Sequence, residues 1–290
     1  MYLDHFGLRE APFSLTPDTQ FYIACNSHQE AYNTLLVAVT NGEGFIKITG
    51  NVGTGKTLLC RKFLGSLDQE NFVTAYLHNP YLDPRSLQFA LADELKLPID
   101  PATDPHQLMK ALTMHLIGIA GAGKNAVLCL DEAQAMPLET LEVLRLLTNL
   151  ETEKRKLLQV VLFGQTELDA HLSHESVRQI SQRITFSHEL QPLDREEVSY
   201  YVMQRLGIAG NRSGPIFSER AIDELFRGSS GIPRLINILA HKALMLAYGE
   251  GRRRVDAAEV RAAVEDTPSA SRLAKPAWKH WLSLLGKRAK

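Results

Sequence analysis

The sequence predicts an α/β fold, a five-stranded parallel sheet followed by a helical domain. Five short apolar or β-branched runs are separated by stretches of helical pattern, and the runs stop at Gln191-Pro192. After that point one helical stretch follows another. Such alternation, followed by helix alone, is the signature of a layered α/β domain with an all-α partner. The chain of 290 residues suffices for one large or two modest domains with a sizeable core.

The strand runs are Phe45–Thr49, Phe72–Leu77, Ala126–Leu130, Leu157–Phe163 and Thr185–Leu190. Their length and apolar continuity suit strands buried on both faces. Parallel pairing needs a crossover between strands, and the intervening helices supply it. One helix follows the glycine turn at 50–57, with Leu59, Cys60, Phe63, Leu64 and Leu67 on one face. Two more open at Asp83-Pro84 and Asp104-Pro105, where Asp suits the cap and Pro the first helical turn. A fourth runs from about Leu138 to Leu150.

Beyond residue 191 the helices announce their own starts. Asp194 and Glu197 have capping-box spacing, as do Asp256 and Glu259. Between them one helix opens near Ser218 and another follows "GIPR", 231–234. The expected division is therefore an α/β domain over 1–190, a helical domain over 191–267, and a linker and tail over 268–290, with "TPSAS" at 267–271 as the linker. "GAGK", 121–124, precedes a strand and lacks a hydroxyl residue, so it reads as a loop.

The chemistry begins at "GNVGTGKT". The spacing Gly50-x4-Gly55-Lys56-Thr57, between a strand and a helix, is a phosphate-loop pattern. Gly50, Asn51, Val52, Gly53, Thr54, Gly55, Lys56, Thr57 and Leu58 are the candidate nucleotide-binding residues, joined by Asp131. Backbone N–H groups and the helix N-terminus would face phosphate oxygens. Lys56 would reach the β- and γ-phosphates, and the Thr57 hydroxyl would ligate Mg²⁺. "AVLCLDEAQ", 126–134, is an apolar strand ending in two carboxylates. Unpaired buried charge is costly, so a cation is the expected reason. Asp131 would hold Mg²⁺ and Glu132 would polarise an attacking water. Gln165, after the strand 157–163, would orient that water or touch the γ-phosphate.

Taken in order, "GNVGTGKT", "VLCLDEAQ", Gln165 and "GIPR" resemble the AAA+ ATPases. Within them the chain is similar to the ExeA (general secretion pathway A) group. The carrying stretches are "FGLREAPFSLTPDTQFY", "HQEAYNTLL", "EGFIKITGNVGTGKT", "DEAQAMPLETLEVLRLLTNLETE" and "LFGQTEL". The likeness covers roughly residues 1–267, with 1–40 as the family's N-terminal segment. It implies ATP and Mg²⁺ as ligands and a homo-oligomer with sites shared between subunits. It implies Gln165 as sensor 1, and Arg234 as a sensor-2 arginine reaching from a helical lid. It implies a trans-acting arginine in "VRQISQRITF", either Arg183 or, second, Arg178. Phe13 and Pro17 would lie near the adenine or in the core. The implied work is assembly of a type IV (MSHA-type) pilus or type II secretion apparatus, with inner-membrane assembly proteins as partners. Thr166 stands where the family often has proline. Long members continue into a transmembrane helix and a peptidoglycan-binding domain. This sequence stops at Lys290, so a role at the cell wall is not expected.

The last stretch, 272–290, holds six basic side chains and no acid, with Trp278, Trp281, Leu282 and Leu285 on one helical face. It suits an anionic membrane surface, a partner, or a disordered tail. Three separated cysteines, no signal pattern and no long apolar run point to the cytosol, with peripheral contact at the inner membrane. A net charge of −1 argues against nucleic acid, which a DNA-associated ATPase of the transposition or initiator type would bind. A small-molecule kinase is disfavoured by Glu132, which points to transfer to water.

Overall fold

The computed structural model describes residues 2–78, 80–151 and 156–273. They form two compact units. One gathers the residues up to Cys25, Gly53–Gly55 and those from Gln191 onward; the other holds Asn26–Val52 and Lys56–Leu190. The first helix, α1 (Tyr2–Phe6), belongs to the former unit.

The second unit is the α/β layer. Its strands are β1 (Phe45–Gly50), β2 (Phe72–Leu77), β3 (Asn125–Leu130), β4 (Leu158–Gly164) and β5 (Ile184–Leu190). The order is β2-β3-β4-β1-β5, and every pair is parallel. This is the five-stranded α/β sheet that the sequence predicts. Helix α2 (Asn26–Thr40) precedes β1, and between the strands lie α3 (Lys56–Leu64), α4 (Pro84–Glu94), α5 (Pro105–Gly121), α6 (Leu138–Thr148), α7 (Glu167–Leu172) and α8 (Arg178–Ser181). The Asp-Pro starts behave as capping chemistry requires. Asp83 accepts from the N–H groups of Arg85 and Ser86, and Asp104 from those of His106 and Gln107. "GAGK" closes α5 as a turn, and Lys124 Nζ donates to Gln69 O at 2.9 Å.

Every residue of β4 is buried, as its central place demands. Leu128, Leu130, Val160 and Leu162 share one core with Leu87, Leu91, Leu108, Leu112, Leu116, Leu141 and Leu144. The exception in this apolar strand is Gln159, which donates to Val39 O at 3.0 Å and Glu43 O at 3.1 Å, tying down the end of α2. All strand C-terminal ends point the same way, so the residues after β1, β2, β3 and β4 gather at one edge of the sheet.

The other unit is helical: α1 with α9 (Arg195–Ile208), α10 (Glu219–Ser229), α11 (Pro233–Gly249), α12 (Ala257–Glu265) and α13 (Pro268–Leu273). Both capping boxes are formed, at Asp194 with Glu197 and at Asp256 with Glu259. Its core joins Phe6, Leu8, Phe13, Phe21 and Cys25 to Val198, Val202, Leu225, Leu239 and Val260. The opening residues thus pack with these helices, and a single α/β domain over 1–190 is not what the contacts describe. The reason is their aromatic content. Phe13 stacks edge-on to Phe217 with ring centroids 6.0 Å apart, and Arg205 lies 4.8 Å from the Phe21 ring while donating to Pro12 O. Phe13 is therefore a core residue, and Pro17 is exposed. The linker read at 267–271 is a correction too: Pro268–Leu273 is helical because Ala270 fills the same core. Of the tail, 274–290 lies outside the described residues.

Among the described residues, no helix is long and apolar enough to cross a membrane. Cys25, Cys60 and Cys129 are free and buried. Burial, with Glu197 and Asp194 nearby, pushes the Cys25 thiol up to about 12.

Candidate functional site

The glycine turn after β1 has Gly53 at φ +86° and Gly55 at φ +99°, a region side chains resist. Helix α3 begins at Lys56, immediately after it. A turn of this kind followed by a helix N-terminus leaves backbone N–H groups free for an anion. Lys56 is buried, and its ammonium donates to Gly50 O at 2.7 Å and Asn51 O at 3.1 Å. Burial lowers its pKa, opposed by the carboxylates of Glu132, Asp131 and Glu167.

Asp131 follows β3 and is fully buried. Its Oδ2 accepts from Thr57 Oγ1 at 2.6 Å, so the hydroxyl of α3 and the carboxylate after β3 meet across the intervening strand β4. Tyr76 OH lies 3.4 Å from the same oxygen and His78 Nδ1 3.5 Å from it. Burial pushes the Tyr76 phenol well up, with Asp131 and Cys60 adding to it. An alcohol and a carboxylate are the hard oxygen donors that Mg²⁺ prefers alongside phosphate. Among the described residues no group of three or more His, Cys, Asp and Glu could cage a metal ion. A cation here would complete its shell with phosphate and water.

Glu132 adopts a left-handed backbone, φ 56° and ψ 37°. Its N–H donates to Asp131 Oδ1 at 3.1 Å. Its carboxylate Oε2 accepts from Gln134 Nε2 at 2.6 Å and from Gln165 Nε2 at 3.3 Å. The Gln165 N–H in turn donates to Gln134 Oε1 at 2.9 Å. Lys56, Thr57, Asp131, Glu132 and Gln165 are thereby brought together at one edge of the sheet.

Of the other expected residues, Arg234 meets the glycine turn itself, whereas Arg183 and Arg178 lie away from it. Within the helical unit's group, the Arg234 N–H donates to Gly53 O at 3.1 Å, and a Cβ on Gly53 would stand 2.8 Å from Arg234 Cβ. Arg183 precedes β5, which begins alongside Phe45, whereas Gly50 pairs with Leu190. Five residues of strand separate those levels, about 17 Å. Arg183 therefore sits at the strand-start edge, opposite the glycine turn of its own chain, and donates to Asn149 Oδ1. Arg178 is exposed on α8. Sequence reasoning missed Tyr76, His78, Gln134 and Asn149. Gln134 and Asn149 stand inside stretches quoted for the resemblance, but only the folded chain shows their partners.

Residues 39–172 match the family model of the AAA domain. General secretion pathway protein A of Aeromonas hydrophila is 43% identical over 255 residues, 88% of this chain and 46% of that protein. The chain thus spans about half the length of this curated relative. Among solved structures, the Aeropyrum pernix ORC2 protein, in ADPNP-ADP complexes, superposes with a TM-score of 0.65 at 17% identity, covering 89% of this chain and 71% of that one. Cdc6p from Pyrobaculum aerophilum gives 0.65 at 18%, covering 88% and 70%. The Thermotoga maritima RuvB Holliday junction branch migration motor gives 0.53 at 18%, covering 83% and 68%. At these identities the structures share the fold.

Proposed function

Because this chain belongs to the AAA ATPase family of General secretion pathway protein A, we propose that it binds Mg-ATP at the glycine turn and hydrolyses it with Glu132 as base. The observation that carries this reading is the Thr57–Asp131 contact at 2.6 Å with Glu132 one residue on. It supports a cation held by α3 and β3 beside a carboxylate held apart for water. Lys56 now spends its protons on two loop carbonyls, and phosphate oxygens would replace them. Bound Mg²⁺ would neutralise charge developing on the transferred phosphoryl group. Gln165 orients the water together with Glu132.

The position of Arg183 supports its use on a neighbouring subunit, because its own glycine turn lies at the other end of the sheet. We assign it as the trans-acting arginine over Arg178, since Asn149 fixes its guanidinium. Arg234 is assigned to the γ-phosphate. The helical unit serves as the lid, and the chain works as a homo-oligomer. We propose that hydrolysis drives assembly of a secretion or MSHA-type pilus apparatus at the inner membrane, with MshM the family member whose task it shares. A DNA-associated role is less well supported: Arg252 of "GRRR" is paired with Glu250 and Glu259.

Glu132→Gln is the test. The variant should keep ATP affinity and lose turnover by about 10³-fold or more. Wild-type turnover in that variant would remove Glu132 from the mechanism.

A further inference from the structure

We propose that Gln134 is a positioning residue that clamps Glu132 by one carboxylate oxygen to the end of β4, aiming the other oxygen at the attacking water. The inference rests on the reading of Glu132 as the base. Its basis is a closed circuit of hydrogen bonds. Gln134 Nε2 donates to Glu132 Oε2 at 2.6 Å, the Gln165 N–H donates to Gln134 Oε1 at 2.9 Å, and Gln165 Nε2 returns to Glu132 Oε2 at 3.3 Å.

The chemistry fixes the direction of that circuit. A backbone N–H must meet an oxygen, so the Gln134 carbonyl oxygen faces the end of β4. Its NH₂ is then turned to the carboxylate, where the bond is charge-assisted and short. The Gln165 side chain, at 3.3 Å, is the weaker of the two donors. The room for this amide comes from Gly164, where a Cβ would stand 3.3 Å from Gln134 Oε1 and 2.8 Å from Leu168 Cδ2. The short turn Ala133–Ala135 that presents Gln134 is anchored by Ala133 and Met136, both buried.

The backbone supplies the second constraint. A left-handed backbone is unfavourable for glutamate, and such a residue persists only where its surroundings over-determine it. Gln134 and Gln165 both donate to Oε2 of the carboxylate. One oxygen is thus a tether and the other is the working base. Because the tether ends on the backbone of residue 165, displacement of the β4 end moves the base with it. The glutamine is specific to this geometry: asparagine is a methylene short, and glutamate would set acceptor against acceptor.

The test uses the full chain with Mg-ATP. Gln134→Met keeps length and volume while deleting both donor and acceptor. We expect kcat to fall about 10-fold or more, with KM and nucleotide affinity within about twofold of wild type. Gln134→Glu should fall further. A double-mutant cycle separates positioning from mere support. In single-turnover measurements on the Glu132→Gln background, adding Gln134→Met should slow hydrolysis no further. An unchanged kcat in Gln134→Met, a rise in KM alone, or an equal additional loss on the Glu132→Gln background would each overturn the clamp. Glu132→Gln measured alone keeps the two ideas apart. If it retains full turnover, the assignment of the base fails and the clamp with it. If it is inactive while Gln134→Met is normal, only the clamp fails.

Discussion

Lys56 shows how a single side chain is held ready at a cost. Its ammonium is buried among loop carbonyls and three carboxylates, and burial is the largest influence on its pKa. The folded pKa lies below that of the unfolded chain. The protonated form is therefore penalised at every pH below the folded pKa, and the penalty fades as pH rises through that pKa towards 10.5, the ordinary value. Lys56→Met should leave the nucleotide-free protein at least as stable as wild type. It should also abolish the rise in melting temperature that Mg-ATP gives, worth about 2.7 kcal/mol at a hundredfold excess over Kd. Thermal melts with and without Mg-ATP decide it; a full ATP-dependent rise in the variant would count against the assignment.

At the scale of elements, the junction before α9 depends on a glycine in the turn before α11. The Leu193 N–H donates to Gly231 O at 2.9 Å. Gly231 has φ +73°, and a Cβ there would stand 2.0 Å from Leu193 O. Gly231→Ala should destabilise the helical unit by about 3 kcal/mol or more, through strain and collision with backbone that cannot swing aside. Denaturant unfolding monitored by helicity would measure it, and a loss below about 1 kcal/mol would contradict the geometry. The elements themselves were largely legible. Strand ends match the apolar runs to within a residue, and Asp83, Asp104, Asp194, Ser218 and Asp256 cap the helices where local chemistry places them. These are local signals. The strand order, the docking of Phe6, Phe13 and Phe21, and the helix at Pro268–Leu273 depend on partners far along the chain. Within the site, Lys56, Thr57, Asp131 and Glu132 were legible because motif spacing encodes them. Gln134 was not, because an amide's role depends on which N–H faces it.

For the whole molecule, the separation of Arg183 from the glycine turn of its own chain predicts complementation between subunits. Arg183→Ala and Glu132→Gln should each be nearly inactive alone. Mixed, they should recover activity, because Glu132→Gln subunits can lend an arginine to sites that retain Glu132. An arginine finger is worth about 10³–10⁵ in rate, so even partial recovery is measurable. Mixtures as inactive as either parent would refute a shared site. Another consequence follows from the helical unit, whose core joins residues 2–25 to residues beyond 190. On the ribosome the first aromatic residues emerge early, and their partners are made only after the whole stretch from Asn26 to Leu190. At about 5–20 residues per second, Phe6, Phe13 and Phe21 wait roughly 10–50 s. During translation this opening segment is exposed apolar chain, a natural client for a holding chaperone until α9–α12 arrive.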